Sequence, residues 1–271
     1  MTLVFLLYYF ITFIFGLVAG SFLNCVVYRL ALPNFSFWKN LGGQNRSYCP
    51  ECKHVLSWRD LIPVFSFLFL KGKCRYCSKK ISVQYPLVEL ITALSFVLIF
   101  NFSVYTRPVW GWQFLIDILF LLVVFSFLII IFVYDLKYYI IPDKILFPAI
   151  AIVFLYQLIF SFRFLNFNSL WAGLGACAFF LFLFIISGGR WMGFGDVKLA
   201  FFMGLFLGYP NILVALFLAF FLGAIIGVGL IIFGNKNLKS EIPFGPFLIT
   251  GTFLALLWGQ EITNWYMNLF L

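Results

Sequence analysis

The chain has 271 residues, of which 64% are hydrophobic and only 10% charged, forty are phenylalanine, and the formal net charge is +9. A soluble domain carries about a quarter charged residues, so a soluble globular fold is excluded. The apolar runs are continuous and do not alternate, which excludes a strand barrel, and the class left is an all-α polytopic membrane protein.

Eight spans are predicted in chain order: 3–23, 87–102, 113–134, 145–161, 169–186, 197–208, 211–233 and 244–258. The first begins too close to the N-terminus, and lacks the basic flank, to read as a cleavable signal. The sixth is short for a hydrocarbon core about 30 Å thick. GxxxG spacings at Gly16/Gly20, Gly204/Gly208 and Gly223/Gly227 are read as helix-packing seams.

Between the first two spans, residues 24–86 form the one sizeable polar insert. It carries Cys49-Pro50-Glu51-Cys52 and Cys74-Arg75-Tyr76-Cys77. Two CxxC knuckles at this spacing predict a small zinc-ribbon-like unit in which Cys49, Cys52, Cys74 and Cys77 supply four thiolates to a structural Zn²⁺. Four thiolates leave no open coordination position, so the metal is not expected to be catalytic. A unit of this size also has too small a core to do without a staple. His54 is read as a solvated or supporting histidine, not a fifth ligand. The apolar stretch 61–70 is too short to span and is expected to lie against the membrane or pack on the helices. Cys25 and Cys177 are read as packing residues.

Charge sets the orientation. With the N-terminus outside, segments 24–86, 135–144, 187–198 and 234–243 face inward and hold sixteen of the eighteen Lys and Arg residues; only Arg107 and Arg163 fall outside. That is a positive-inside pattern. It predicts a multi-pass protein of the bacterial cytoplasmic (inner) membrane whose loops meet anionic lipid. It also places the cysteines in a reducing compartment, where disulfides are rare. The basic residues are not interleaved on one soluble face, so nucleic acid is not an expected partner.

Nine acidic residues can be weighed singly. Glu51 and Asp60 are expected to be solvated charges of the insert, and Asp117 and Glu261 lie toward the outer face. Glu89, Asp135, Asp143, Asp196 and Glu241 stand at the inner border, where acidic groups are costly and usually functional. Asp135 ends the third span. Asp196 closes Gly193-Phe194-Gly195-Asp196, whose glycines allow close backbone approach. The two intervening spans return the chain to the same face, so the two carboxylates can meet and share a proton, the arrangement of an aspartic hydrolase. Asp143, after Pro142, is expected to cap the fourth span. Glu89 is an accessory candidate that could pair with a substrate amine or with Lys198. No P-loop, GxSxG or HExxH occurs.

These residues resemble a family. Gly20-Ser21-Phe22-Leu23-Asn24 with Tyr28-Arg29-Leu30, the paired knuckles and Ile81-Ser82…Tyr85-Pro86…Glu89 look like the N-terminal half of bacterial prepilin peptidases. Asp135…Ile141-Pro142-Asp143, Gly193-Phe194-Gly195-Asp196-Val197-Lys198 and Ile242-Pro243-Phe244-Gly245-Pro246 look like the catalytic half. The resemblance implies cleavage of the leader from type IV prepilins or pseudopilins at the cytosolic face, with Asp135 and Asp196 catalytic. It also implies methylation of the new N-terminus with S-adenosylmethionine as methyl donor. The domain organisation it suggests is a first span (1–23), a methylation-associated zinc insert (24–86) and a peptidase domain (87–271). Two other readings stand beside it. One is an intramembrane protease of the presenilin or signal-peptide-peptidase kind, whose Pro-Ala-Leu motif is absent here. The other is a non-enzymatic membrane scaffold.

Overall fold

The computed structural model describes residues 2–32, 46–106, 111–160, 167–233 and 242–269. Arg107, Arg163, Glu241 and the lysines of 234–241 lie outside the described residues. Eight long helices are present, with two short ones in the insert: α1 (Thr2–Leu30), a 3₁₀ turn (Trp58–Leu61), α2 (Phe65–Phe69), α3 (Gln84–Thr106), α4 (Trp112–Tyr138), α5 (Asp143–Phe160), α6 (Phe167–Ser187), α7 (Phe194–Leu207), α8 (Asn211–Ile232) and α9 (Gly245–Asn268). Two isolated bridges, Tyr48 with Val55 and Lys73 with Lys80, are the only extended pairings among the described residues. The protein is a polytopic helical membrane protein.

All eight predicted spans are helices, but six of them, α1, α3, α4, α5, α6 and α8, are long and apolar enough to cross a membrane. The other two fall short for different reasons. α7 has 14 residues, about 21 Å at 1.5 Å per residue. α9 turns polar after Trp258, through Gln260, Glu261 and Asn264.

The chain divides into two compact units, residues 1–130 and 131–271. In the first, α1 lies along α3. A Cβ added at Gly16 would come within 2.5 Å of Ala93 Cα, and one at Gly20 within 2.7 Å of Glu89 Cα. These glycines are the packing seam their spacing suggested. The close approach continues past residue 23, where the span was expected to end. Asn24, Val26, Val27 and Leu30 are all buried, so α1 runs on to Leu30 and the insert begins later than predicted. Within the insert, Trp58, Phe65, Leu68 and Phe69 are exposed, an apolar face suited to the membrane surface.

In the second unit α7 is the central helix. It contacts α5, α6, α8 and α9, and Leu199, Ala200, Phe202, Met203 and Leu205 are essentially inaccessible. Gly204 faces the backbone of Ala172 and Gly173, as a seam residue should. Its partner Gly208 instead ends α7 with φ +68°, a left-handed angle that favours glycine. The third spacing is not a seam: Gly223 meets Phe244 and Phe247 only at ordinary distances, and nothing lies within 4 Å of a Cβ at Gly227.

Candidate active site

The second unit gathers the acidic residues around the ends of α4 and α7. Asp135 lies in the last turn of α4 and is 4% exposed; Asp196 lies in the first turn of α7 and is 8% exposed. They are close enough for the charge of Asp135 to act on Asp196. Each is held by a backbone amide from a glycine. Gly193 N–H donates to Asp196 Oδ2 at 3.3 Å, and Asp196 N–H returns a bond to the Gly193 carbonyl at 3.1 Å. This reciprocal pair is the backbone form of a capping box. Asp135 accepts from Gly245 N–H at the start of α9.

The three site glycines play different parts. A Cβ at Gly245 would sit 2.5 Å from Asp135 Oδ2, and one at Gly195 would sit 3.0 Å from the Ile141 side chain. Both are close approaches that only glycine allows. Gly193, by contrast, has φ −77° and ψ 152°, and its Cβ would meet nothing nearer than 3.8 Å. The fold does not require glycine there. Gly245 carries no local sequence signal of its role, which comes from its contact with Asp135, 110 residues earlier in the chain.

Asp143 corrects an expectation. The carboxylate predicted to cap α5 instead receives Lys198 Nζ at 2.6 and 2.8 Å. The Pro142 carbonyl takes the first N–H groups of α5, from Ile145 and Leu146. Lys198 also lies 5.3 Å from the Phe194 ring and 5.5 Å from that of Phe147. Lys198 thus ties the first turn of α7, two residues from Asp196, to the start of α5.

The first unit holds two further groups. The sulfurs of Cys49, Cys52, Cys74 and Cys77 all lie within 4.8 Å of one another, with Cys49 and Cys77 3.9 Å apart. A tetrahedron with Zn–S bonds of about 2.3 Å has edges of about 3.8 Å, so the four sulfurs fit a tetrahedral metal ion. Burial opposes ionisation of Cys49, but the N–H groups of Cys52 and Glu51 outweigh it and draw the thiol down to about 7. At Cys77 the Lys79 N–H pulls downward, yet burial and the three neighbouring thiols push the group up to about 11. A cation in place of the shared protons removes that conflict. His54 stands aside from the sulfurs, exposed, with its ring centroid 3.6 Å from that of Tyr76. Cys25 and Cys177 are half-buried and apart from the cluster.

Asp60 was expected to be solvated, and it is not. Its side chain is 2% exposed. It accepts from Ser57 N–H and Oγ, from Arg75 Nε at 2.7 Å and from Tyr76 Oη. Burial would raise its pKa, but these bonds outweigh that and hold the carboxyl below the usual carboxylate range. The residue joins the segment after the first knuckle to the second. Glu89 is buried, and it accepts Val64 N–H at 2.7 Å and the Ser21 hydroxyl, while Lys198 pairs with Asp143. Val64 has φ 60°, unusual for a β-branched residue, so Glu89 fastens a strained turn of the insert to α3.

Comparison with known proteins accounts for both units. Residues 14–102 match the bacterial peptidase A24 N-terminal domain, and residues 122–228 match the type IV leader peptidase family. A protein of Aeromonas hydrophila called prepilin leader peptidase/N-methyltransferase is 34% identical over 293 residues, covering 98% of this chain and 96% of its own. Proteins of the same name are 36% identical in Bacillus subtilis, covering 96% of this chain and 98% of their own, and 31% identical in Pseudomonas aeruginosa, covering 95% and 92%. No solved structure gives a significant match.

Proposed function

This chain belongs to the bacterial prepilin leader peptidase family, and from that premise we propose that it removes the leader from type IV prepilins or pseudopilins by an aspartic mechanism. The observation that carries the reading is the pair of buried carboxylates, Asp135 and Asp196, each held by a glycine N–H, with the charge of Asp135 acting on Asp196. Two such groups share one proton and titrate as a unit. The ionised member takes a proton from water as its oxygen attacks the scissile carbonyl. The protonated member hydrogen-bonds that carbonyl oxygen. Collapse of the tetrahedral adduct breaks the C–N bond, and the leaving amine takes the proton. No metal takes part in this step.

The positive-inside pattern supports a site on the cytosolic side of the inner membrane, so the substrate's apolar segment stays in the bilayer while its leader is cut at the border. The exposed apolar side chains of the insert, Phe65, Leu68 and Phe69, suit contact with lipid at that border. The four cysteines fit Zn²⁺ in a structural role, in an insert between α1 and α3 that we associate with methylation, and the peptidase chemistry belongs to the part of the chain that carries Asp135 and Asp196. The name the relatives share, prepilin leader peptidase/N-methyltransferase, supports a second reaction, N-methylation of the new terminus. S-adenosylmethionine would supply the methyl group for that reaction when bound.

The decisive test is cleavage of a prepilin in membranes carrying Asp135→Asn or Asp196→Asn. Each variant alone is expected to leave the substrate uncleaved while the protein remains folded and inserted. Full processing by either one, seen by mass spectrometry of the product N-terminus, would sink the assignment.

A further inference from the structure

The second unit carries an apolar groove of about 610 Å³ between α6 and α8. These are the two least buried of the six helices long and apolar enough to cross a membrane. α6 packs on α7, and α8 on α9, which leaves the groove between them unfilled. One end lies at Tyr209, just past the last turn of α7 and so away from Asp196 in its first turn. There Asn168 spends both ends of its amide on Tyr209: Nδ2 donates to the carbonyl at 2.9 Å, and Oδ1 accepts the N–H at 3.2 Å. With that amide engaged, the surface left is aliphatic and aromatic, suited to an occupant without polar side chains.

The floor distinguishes a helix from a lipid tail. Ala172, Gly175 and Ala176 share one face of α6 at i, i+3 and i+4, and a Cβ added at Gly175 would meet nothing within 4 Å. The chain's own packing uses a different glycine: a Cβ at Gly173 would sit 3.1 Å from the Phe201 carbonyl of α7. Small residues that let backbones approach mark helix–helix contacts in lipid, and an acyl chain has no use for such an approach. The floor from Asn168 to Phe179 is about 16 Å long at 1.5 Å per residue, about three turns of a partner helix.

The other end of the groove adjoins the carboxylates. Phe179 and Phe220 close it, with ring centroids 6.5 Å apart. Phe220 and Phe180 lie 5.1 and 6.3 Å from Phe244, the residue before Gly245, whose N–H holds Asp135. A helix seated in the groove therefore leaves it over a wall that the catalytic site shares.

We propose that this groove seats the apolar segment of the substrate as a transmembrane helix and so delivers the residues before it to Asp135 and Asp196. The inference rests on the leader-peptidase reading above and adds to it the surface that recognises the membrane-bound part of the substrate. Trp171, Leu213 and Phe217, all more than half exposed on the rim, supply its side contacts.

The test compares two substrates of the full-length protein in nanodiscs: an intact prepilin, and a peptide that spans the cleavage site but stops before the apolar segment. The wild type is expected to cleave the intact prepilin with a kcat/KM higher by about tenfold or more. Gly175→Leu fills the floor where the fold leaves room, and should cut that ratio by about tenfold through KM. Gly227→Leu adds the same side chain at an open glycine of α8 outside the groove and should keep the wild-type ratio. Equal slowing of both substrates by Gly175→Leu, the mark of a structural lipid or a folding defect, overturns the proposal, as does an unchanged ratio.

Photocrosslinking reads the occupant without filling the groove. Phe217→p-benzoylphenylalanine is placed in protein whose Asp196→Asn change keeps the prepilin intact. Ultraviolet light should then join the enzyme to the prepilin's apolar segment, located by mass spectrometry. Adducts only with phospholipid, or only with a second copy of this chain, overturn the proposal while leaving cleavage by the wild type standing. A wild type that cleaves neither substrate removes the peptidase reading and the groove's role together.

Discussion

Replacing Gly245 by alanine is the most direct way to move a carboxylate of the site without touching its chemistry. The added Cβ would lie 2.5 Å from Asp135 Oδ2, whereas ordinary carbon–oxygen contacts begin near 3.4 Å. Relief takes a shift of about 1 Å by Asp135 or by the start of α9. The Gly245 N–H survives the change, so the hydrogen bond to Asp135 is bent and not deleted. A misplacement of about 1 Å at reacting groups can lower a rate about 100-fold, while overpacking of this kind costs about 1–3 kcal/mol of stability. Cleavage of a purified prepilin, followed by gel shift over a time course, should therefore slow about 100-fold in Gly245→Ala, with the protein still inserted and monodisperse. Gly193→Ala is the matched control for folding, since its Cβ meets nothing closer than 3.8 Å and its backbone angles suit any residue. It should melt like the wild type. Gly245→Ala protein that cleaves at half the wild-type rate or better would refute the placement of Asp135 against α9.

Asp143→Ala removes a partly exposed ion pair, which should cost no more than about 1 kcal/mol of stability; the reading of Lys198 as an anchor of the α7 start predicts a several-fold slower cleavage, restored toward wild type by Asp143→Glu. Cys49→Ser should reduce bound zinc from one equivalent to substoichiometric levels by elemental analysis, and a strong chelator should do the same to the wild type; full metal retention by the variant would remove Cys49 from the ligand set. Asp60→Asn should destabilise the insert by about 1–2 kcal/mol at neutral pH, after allowance for the half-exposed Arg75. Because the folded carboxyl is held below the usual range, this difference is full above about pH 4–5 and shrinks as pH falls through the folded value. Limited proteolysis of the insert across that range reads it out.

Apolar run length was enough to find all eight long helices, because in a bilayer a continuous apolar segment has no alternative to helix. It misplaced ends where packing outlasts hydrophobicity. Asn24, Tyr28 and Arg29 look like loop residues, yet α1 continues through them because Val26, Val27 and Leu30 stay buried. The cysteine cluster was legible from spacing alone, since four ligands in two short knuckles can meet in few ways. That Asp135 and Asp196 come together was legible because the two spans between them return the chain to the same face. Asp60, Asp143 and Gly245 were not, and for a shared reason: each owes its role to partners distant in sequence, Arg75, Lys198 and Asp135 respectively. Position within a local motif carries no trace of such a partner.

The shortness of α7 bears on how a hydrolase in lipid obtains water. At about 21 Å, that helix leaves about 9 Å of a 30 Å hydrocarbon slab unspanned. Either the bilayer thins around it or solvent follows it inward, and Asp196 stands in its first turn. Lipid thickness then becomes a variable of the reaction itself. Reconstitution into bilayers of increasing acyl length should slow cleavage at constant substrate and enzyme, because a thicker slab seals the approach that a short helix keeps wet.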